Sequence, residues 1–194
     1  MSWAARMSLL GRVCILCSAL LMTAVFVYPL WRIELYAPQY PEGLFLKIWI
    51  DKIAGDVRNV NILNHYIGMS KIEPENIPEL RYFPMLFKAF ACTGVIVALL
   101  NRRLLGRVWC FGVLLFAVLG LYDFYSWEYR FGHELSDDAP MKLEESYMPP
   151  LIGTKQLLSI TVNSWPEHGG YAFSASALIA GFVLGASLLR RGPA

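Results

Sequence analysis

The sequence predicts an all-α membrane protein: four transmembrane helices, with two long outer loops forming a small mixed cap. Three observations predict it. Four apolar stretches approach or reach the length of about 20 residues, at about 1.5 Å each, that a spanning helix needs. Only 16% of the 194 residues are charged, against roughly a quarter in a soluble domain. The charges are also sorted along the chain. Arg6, Arg12, Arg102, Arg103, Arg107, Arg190 and Arg191 lie before the first stretch, between the second and third, or after the fourth, with no acid among them. All fifteen carboxylates fall in the other two connections or at their edges.

The first stretch, 13–31, follows Arg6 and Arg12. It ends in Val27-Tyr28-Pro29-Leu30-Trp31, without the small residues of a cleavage site, so it reads as a retained anchor. The second, 84–100, and third, 108–127, flank the basic linker Asn101-Arg102-Arg103-Leu104-Leu105-Gly106-Arg107. The fourth is 171–189. Backbone groups in lipid must be satisfied within the segment, so each reads as a helix. The Lys/Arg bias places both termini in the cytoplasm of a bacterium, with the protein in its inner (plasma) membrane and loops 32–82 and 128–170 outside. Tyr28, Trp31, Tyr82, Phe83, Tyr171 and the Tyr122–Trp127 run form an aromatic belt at the outer ends.

In the first loop, Pro38, Pro41 and Gly43 predict an extended start, and Leu44 to Ile50 a short strand or interface segment. Asp56 is expected to cap a short helix carrying Val57, Val60 and Leu63. In the second loop, Ser136-Asp137-Asp138-Ala139-Pro140 reads as a turn, and Thr154 to Val162 as a short helix or strand. Apolar residues such as Ile48, Trp49, Leu157, Leu158 and Ile160 predict that the two loops pack on each other.

Cys14, Cys17, Cys92 and Cys110 all lie within spanning stretches. Thiol–disulfide chemistry at the outer face is therefore excluded, and Cys14-x-x-Cys17 reads as small packing residues. Nothing in the chain has the basic–aromatic surface that nucleic acid needs.

The candidate site residues form three sets. His65 with Met69, joined by His133, offers imidazole and thioether donors suited to copper, with Met141 and Met148 nearby in sequence. The plain alternative is that His65 and Tyr66 fasten the loop while Met69 fills space. Lys88 and Asp123 are ionisable residues inside spanning stretches, where charge is costly unless paired. Lys88 lies 17 residues before Leu105 and Asp123 18 after it, so a helical hairpin sets them at matching depth and predicts an ion pair. Glu128 and Arg130 could extend that network. Gly181 and Gly185 form a G-x-x-x-G suited to close helix packing.

The runs Ala37-Pro38-Gln39-Tyr40-Pro41-Glu42-Gly43-Leu44, Leu63-Asn64-His65-Tyr66-Ile67-Gly68-Met69, Gly120-Leu121-Tyr122-Asp123-Phe124-Tyr125 and Pro149 to Leu158 resemble a family of four-transmembrane-helix bacterial membrane proteins. The resemblance covers nearly the whole chain. It implies an association with copper-enzyme maturation, notably of nitrous oxide reductase, and no particular activity. The leading expectation is a non-enzymatic accessory protein that assists assembly or copper supply of a periplasmic or membrane metalloenzyme, with a protein partner in either place. The alternatives are a structural subunit of a respiratory or oxidase complex, and a transporter or enzyme using Lys88 and Asp123.

Overall fold

The computed structural model describes residues 5–136, 139–140, 148–157 and 159–189. Met141, the Asp137-Asp138 turn and Leu158 lie outside the described residues. Among the described residues, four helical segments are long and apolar enough to span a membrane. The first, Leu9–Phe26, is helix α1 (Leu9–Leu21) followed by a 3-10 turn over Met22–Phe26. It starts before Val13 because Ser8 caps it: Ser8 Oγ accepts the Gly11 N–H at 3.2 Å. It ends before Trp31 because Trp31 opens a strand.

That strand corrects the all-α expectation. β1 (Trp31–Ala37), β2 (Tyr40–Ile48), β3 (Ile53–Gly55), β4 (Gly153–Leu157) and β5 (Ile160–Pro166) form one antiparallel sheet in the order β3-β2-β1-β5-β4. The physical reason is period-two alternation. Ile33, Leu35 and Ala37 take one face of β1, and Arg32 and Glu34 the other. Ile33 pairs with Leu46 and Ser164, and Leu35 with Leu44 and Val162, so the three strands present a common inner face. β1 joins the two connections into one sheet. Helix α2 (Val57–Ile67) packs beneath it, burying Val60, Leu63 and Ile67 at helical spacing. Asp56 occupies the capping position of α2 but makes no capping bond. Its Oδ2 accepts the Phe45 N–H at 3.0 Å instead.

The remaining helices are α3 (Glu79–Leu100), α4 (Arg103–His133) and α5 (His168–Leu189). α3 runs through Pro84 and so starts one turn earlier than expected. α4 has 31 residues, a length of about 46 Å at 1.5 Å per residue, against a hydrocarbon layer of about 30 Å. Its last turns therefore rise into the cap.

One end of the bundle gathers the N-terminal segment, the Asn101–Arg102 linker and the far end of α5. Met7 N–H donates to Asn101 Oδ1 at 3.1 Å, and Arg107 Nε donates to Ser187 Oγ at 3.1 Å. The sheet and α2 occupy the other end, joined to the bundle by backbone bonds: Leu30 N–H to Ile48 O, Glu167 N–H to Leu30 O and Gly169 N–H to Pro29 O. Gly170 has no room for a side chain, since a Cβ there would collide with Leu30 O.

α1 crosses α5 at Ser18 and Ser176, both fully buried. Each Oγ lies 2.9 Å from the other residue's carbonyl, and the two Oγ atoms are 2.8 Å apart. α1, α3 and α4 meet at Gly94, where an added Cβ would lie 2.6 Å from Trp109 and 2.8 Å from Ala19. The G-x-x-x-G is not a close crossing. A Cβ at Gly181 would make ordinary contact with Leu114 of α4, and one at Gly185 would meet nothing within 4 Å among the described residues.

Candidate functional site

Between the sheet and the cap end of the bundle lies a cavity of about 300 Å³. Its roof is the inner face of the sheet with α2, including Ile33, Leu46, Val162 and Leu63. Its floor is aromatic. Phe83, Phe87, Phe116 and Phe173 line it, with Phe87 and Phe173 ring centroids 4.8 Å apart and Phe87 and Phe116 5.0 Å apart. Trp31 ties roof to wall: its Nε1 donates to Ser164 Oγ at 2.8 Å, and its ring lies 5.1 Å from that of Phe124 on α4. Pockets for small molecules measure roughly 300–1,000 Å³ and are mostly apolar with a few placed polar groups. This one fits the low end of that range.

Asn64, Ser174 and Trp127 are among its polar lining residues, and its ionisable ones are acidic. Glu79 from the first turn of α3, and Asp123 and Glu128 from α4, line the cavity. Among the described residues, no Lys, Arg or His lines it. Glu128 is 5% exposed, and neither of its carboxylate oxygens has a hydrogen-bond partner among the described residues. Glu79 Oε2 and Trp127 Nε1 are likewise buried and unpartnered. Unpaired buried polar groups are uncommon in folded proteins and call for an explanation. Here four such atoms gather on residues lining one cavity. Arg130 is close by, but its guanidinium sits 4.4 Å from the Trp127 ring.

The expected Lys88–Asp123 pair is not formed. Lys88 is exposed, with its ammonium 5.6 Å from the Phe26 ring centroid, and no carboxylate lies within ion-pair distance of it among the described residues. Equal depth did not ensure equal direction. The buried stripe of α3 is Phe87, Ala91, Gly94 and Val97, and Lys88 is turned about 100° away from Phe87. Asp123 is half-buried and faces the cavity, with Glu79 and Arg130 as its charged neighbours.

His65 is exposed, whereas Met69 is half-buried on the cavity wall. His133 is exposed, its ring stacked on Tyr129 at 3.8 Å and its Nδ1 2.9 Å from Tyr129 O. No group of three or more His, Cys, Asp or Glu is arranged to hold a metal ion among the described residues. That covers Glu79, Asp123 and Glu128 as well. On the outer face of the sheet, Arg32 bridges Glu34 at 3.0 Å and Glu167 at 3.5 Å. Tyr36 there has its pKa raised, first by desolvation and then by the adjacent Glu34.

Sequence reasoning singled out Asp123 and noted Glu128, but missed Glu79 and the cavity itself. The available signal was an acid at the cap-side end of each of two apolar helices: Glu79 in the first turn of α3, and Glu128 near the end of α4, beyond its apolar run. No family model matches the chain, and neither a curated protein nor a solved structure does.

Proposed function

We propose that this protein is a multi-pass binding protein of a bacterial plasma membrane that holds an apolar, chain-bearing molecule in the cavity between bundle and cap, with both termini cytoplasmic and the cap outside. One observation carries the reading: an aromatic and aliphatic cavity at the junction of bundle and cap, furnished with buried polar atoms that have no partner among the described residues. Such a cavity suits a molecule that is apolar over most of its length and polar at one end.

Gly120 supplies the test. It lies on the cavity wall, and a Cβ at that position would meet nothing within 4 Å among the described residues. Gly120→Leu places a side chain in the cavity and improves helix propensity by up to about 1 kcal/mol. Protein purified in a mild detergent and examined by native mass spectrometry is expected to carry a bound amphiphile, and G120L to carry far less. Equal retention by both proteins would count against the cavity as the binding site.

A second reading, an accessory role in copper-enzyme assembly with a protein partner, draws on one contact. Ser136 N–H donates to Gly68 O at 2.8 Å, which brings the chain just past His133 against the chain just before Met69. Copper titration of the protein and of His65→Ala tests it: a stoichiometric site lost in the variant supports the reading, and no binding removes it.

A further inference from the structure

We propose that the molecule held in the cavity is a cationic amphiphile: an apolar chain ending in an amine, with a hydroxyl or carbonyl oxygen beside it, of the long-chain amino-alcohol class. This rests on the reading of the cavity as a chain-binding site and assigns the chemistry of its polar end.

The tail cannot supply the selectivity. A chain drawn from a bilayer leaves one apolar medium for another, so its transfer gives little net driving force. Discrimination must come from the polar end and from the groups that meet it. Those groups are one-sided. Glu79, Asp123 and Glu128 line the cavity, and among the described residues no basic side chain does. Glu128 is 5% exposed, and both of its oxygens are without a partner among the described residues. A carboxylate so placed needs a donor, and a positively charged donor best.

A bare metal ion does not answer the need, because the three carboxylates are not gathered as a metal-holding group. An ammonium can be satisfied by one carboxylate, with the others adding favourable charge from a distance. Trp127 supplies the complementary requirement. Its Nε1–H is a donor only, buried and unpartnered, one residue from Glu128 and on the same cavity wall. A head group that donates to Glu128 and accepts from Trp127 satisfies both. An amine with a neighbouring oxygen has both functions; a fatty carboxylate or a phosphate monoester would bring negative charge against three acids and offer no cation to any of them.

The experiment uses the full chain in nanodiscs of zwitterionic phosphatidylcholine. Trp31, Trp49 and Trp127 line the cavity and report chain-brominated ligands by fluorescence quenching. Three tail-matched dodecyl probes are compared: an amino-alcohol, a plain alcohol and a carboxylate. The amino-alcohol is expected to reach half-maximal quenching at a mole fraction at least tenfold below that of the carboxylate, with the alcohol between. Glu128→Gln is expected to narrow the gap between amino-alcohol and alcohol to less than threefold. Lys88→Gln, on the lipid-facing side, is expected to keep the order of the three probes.

If all three heads quench alike in the native protein, or the carboxylate binds best, the head assignment is overturned while the chain-binding reading stands. If no probe quenches saturably, both are overturned. If Glu128→Gln folds and keeps the full preference for the amino-alcohol, Glu128 is not the recognising group. Should that variant fail to fold, as judged by its melting transition, the order of the three probes on the native protein decides alone.

Discussion

Glu128→Leu is expected to make the ligand-free protein more stable. Most substitutions of buried residues destabilise, so the sign is diagnostic. Glu128 is 5% exposed, neither carboxylate oxygen has a partner among the described residues, and the walls around it are largely apolar. Leaving a buried polar group unsatisfied costs about 1–3 kcal/mol, and an apolar residue of similar size removes that cost. For a chain of 150–250 residues, 1 kcal/mol shifts the melting temperature by about 2–4 °C. The expected rise is therefore about 2–12 °C, taking both ranges at their ends.

The assay is thermal unfolding followed by tryptophan fluorescence, on protein exhaustively exchanged to strip bound amphiphile. Stripping matters because a ligand at one hundred times its Kd adds about 2.7 kcal/mol to the native protein and would mask the effect. Glu34 provides the contrast. Its carboxylate is paired with Arg32 at 3.0 Å on the outer face of the sheet, so Glu34→Leu should give no comparable gain. A fall of several degrees for Glu128→Leu would refute the reasoning, because it would mean that the carboxylate holds the fold together. A rise accompanied by loss of ligand would identify a residue retained at a cost to stability.

Other expectations follow from the helix contacts. Ser18→Ala and Ser176→Ala should each lower stability by about 0.5–1.5 kcal/mol in a denaturant titration, within the range measured for hydrogen bonds between membrane helices. The double variant should cost less than the sum, because two hydroxyl protons serve three short contacts and the Oγ–Oγ contact is shared. Gly94→Leu should prevent the close meeting of α1, α3 and α4 and cost more than about 1–3 kcal/mol, read as loss of a folded monomer peak in size-exclusion chromatography. Lys88→Gln and Asp123→Asn should combine additively within about 0.5 kcal/mol in a double-mutant cycle, as for residues without contact. Gly68→Ala should destabilise by about 1 kcal/mol or more in thermal unfolding, since Gly68 ends α2 at φ 81° with Ser136 O 3.1 Å from an added Cβ.

The membrane part of the fold was legible because lipid imposes a simple requirement on sequence: length, apolarity and internal hydrogen bonding. The boundaries slipped where local chemistry overrode hydropathy, at the Ser8 cap and at Pro84. The sheet was legible in part. Trp31 to Ala37 alternates as a half-buried strand should, but an apolar window centred on the preceding helix absorbs its first residues. β5 alternates too, with Ile160, Val162 and Ser164 inward, yet its partner β1 lies well over a hundred residues away in the chain. No local pattern names a partner at that distance. The site was least legible, because a cavity is made by what the facing layers fail to fill, and each layer's residues look like ordinary core when read alone.

Lys88 and Asp123 show why depth alone is a poor guide to chemistry in such a chain. Both lie toward the cap end of their helices, yet one is exposed on the outside of the bundle and the other lines the cavity. The division follows from their stems. Lysine has four methylenes and can reach the headgroup layer from an outward position, so it tolerates the lipid face without a partner. Aspartate has one, and can escape hydrocarbon only by turning inward. The same constraint applies to any acid near the end of a spanning helix, and Glu79 and Glu128 meet it at the same place. Acids thus collect inside while the cation is left outside. A cavity at the junction of bundle and cap becomes an acidic one lined with aromatic rings, and its polar character is set by azimuth on the helices, which charge counting along the sequence does not register.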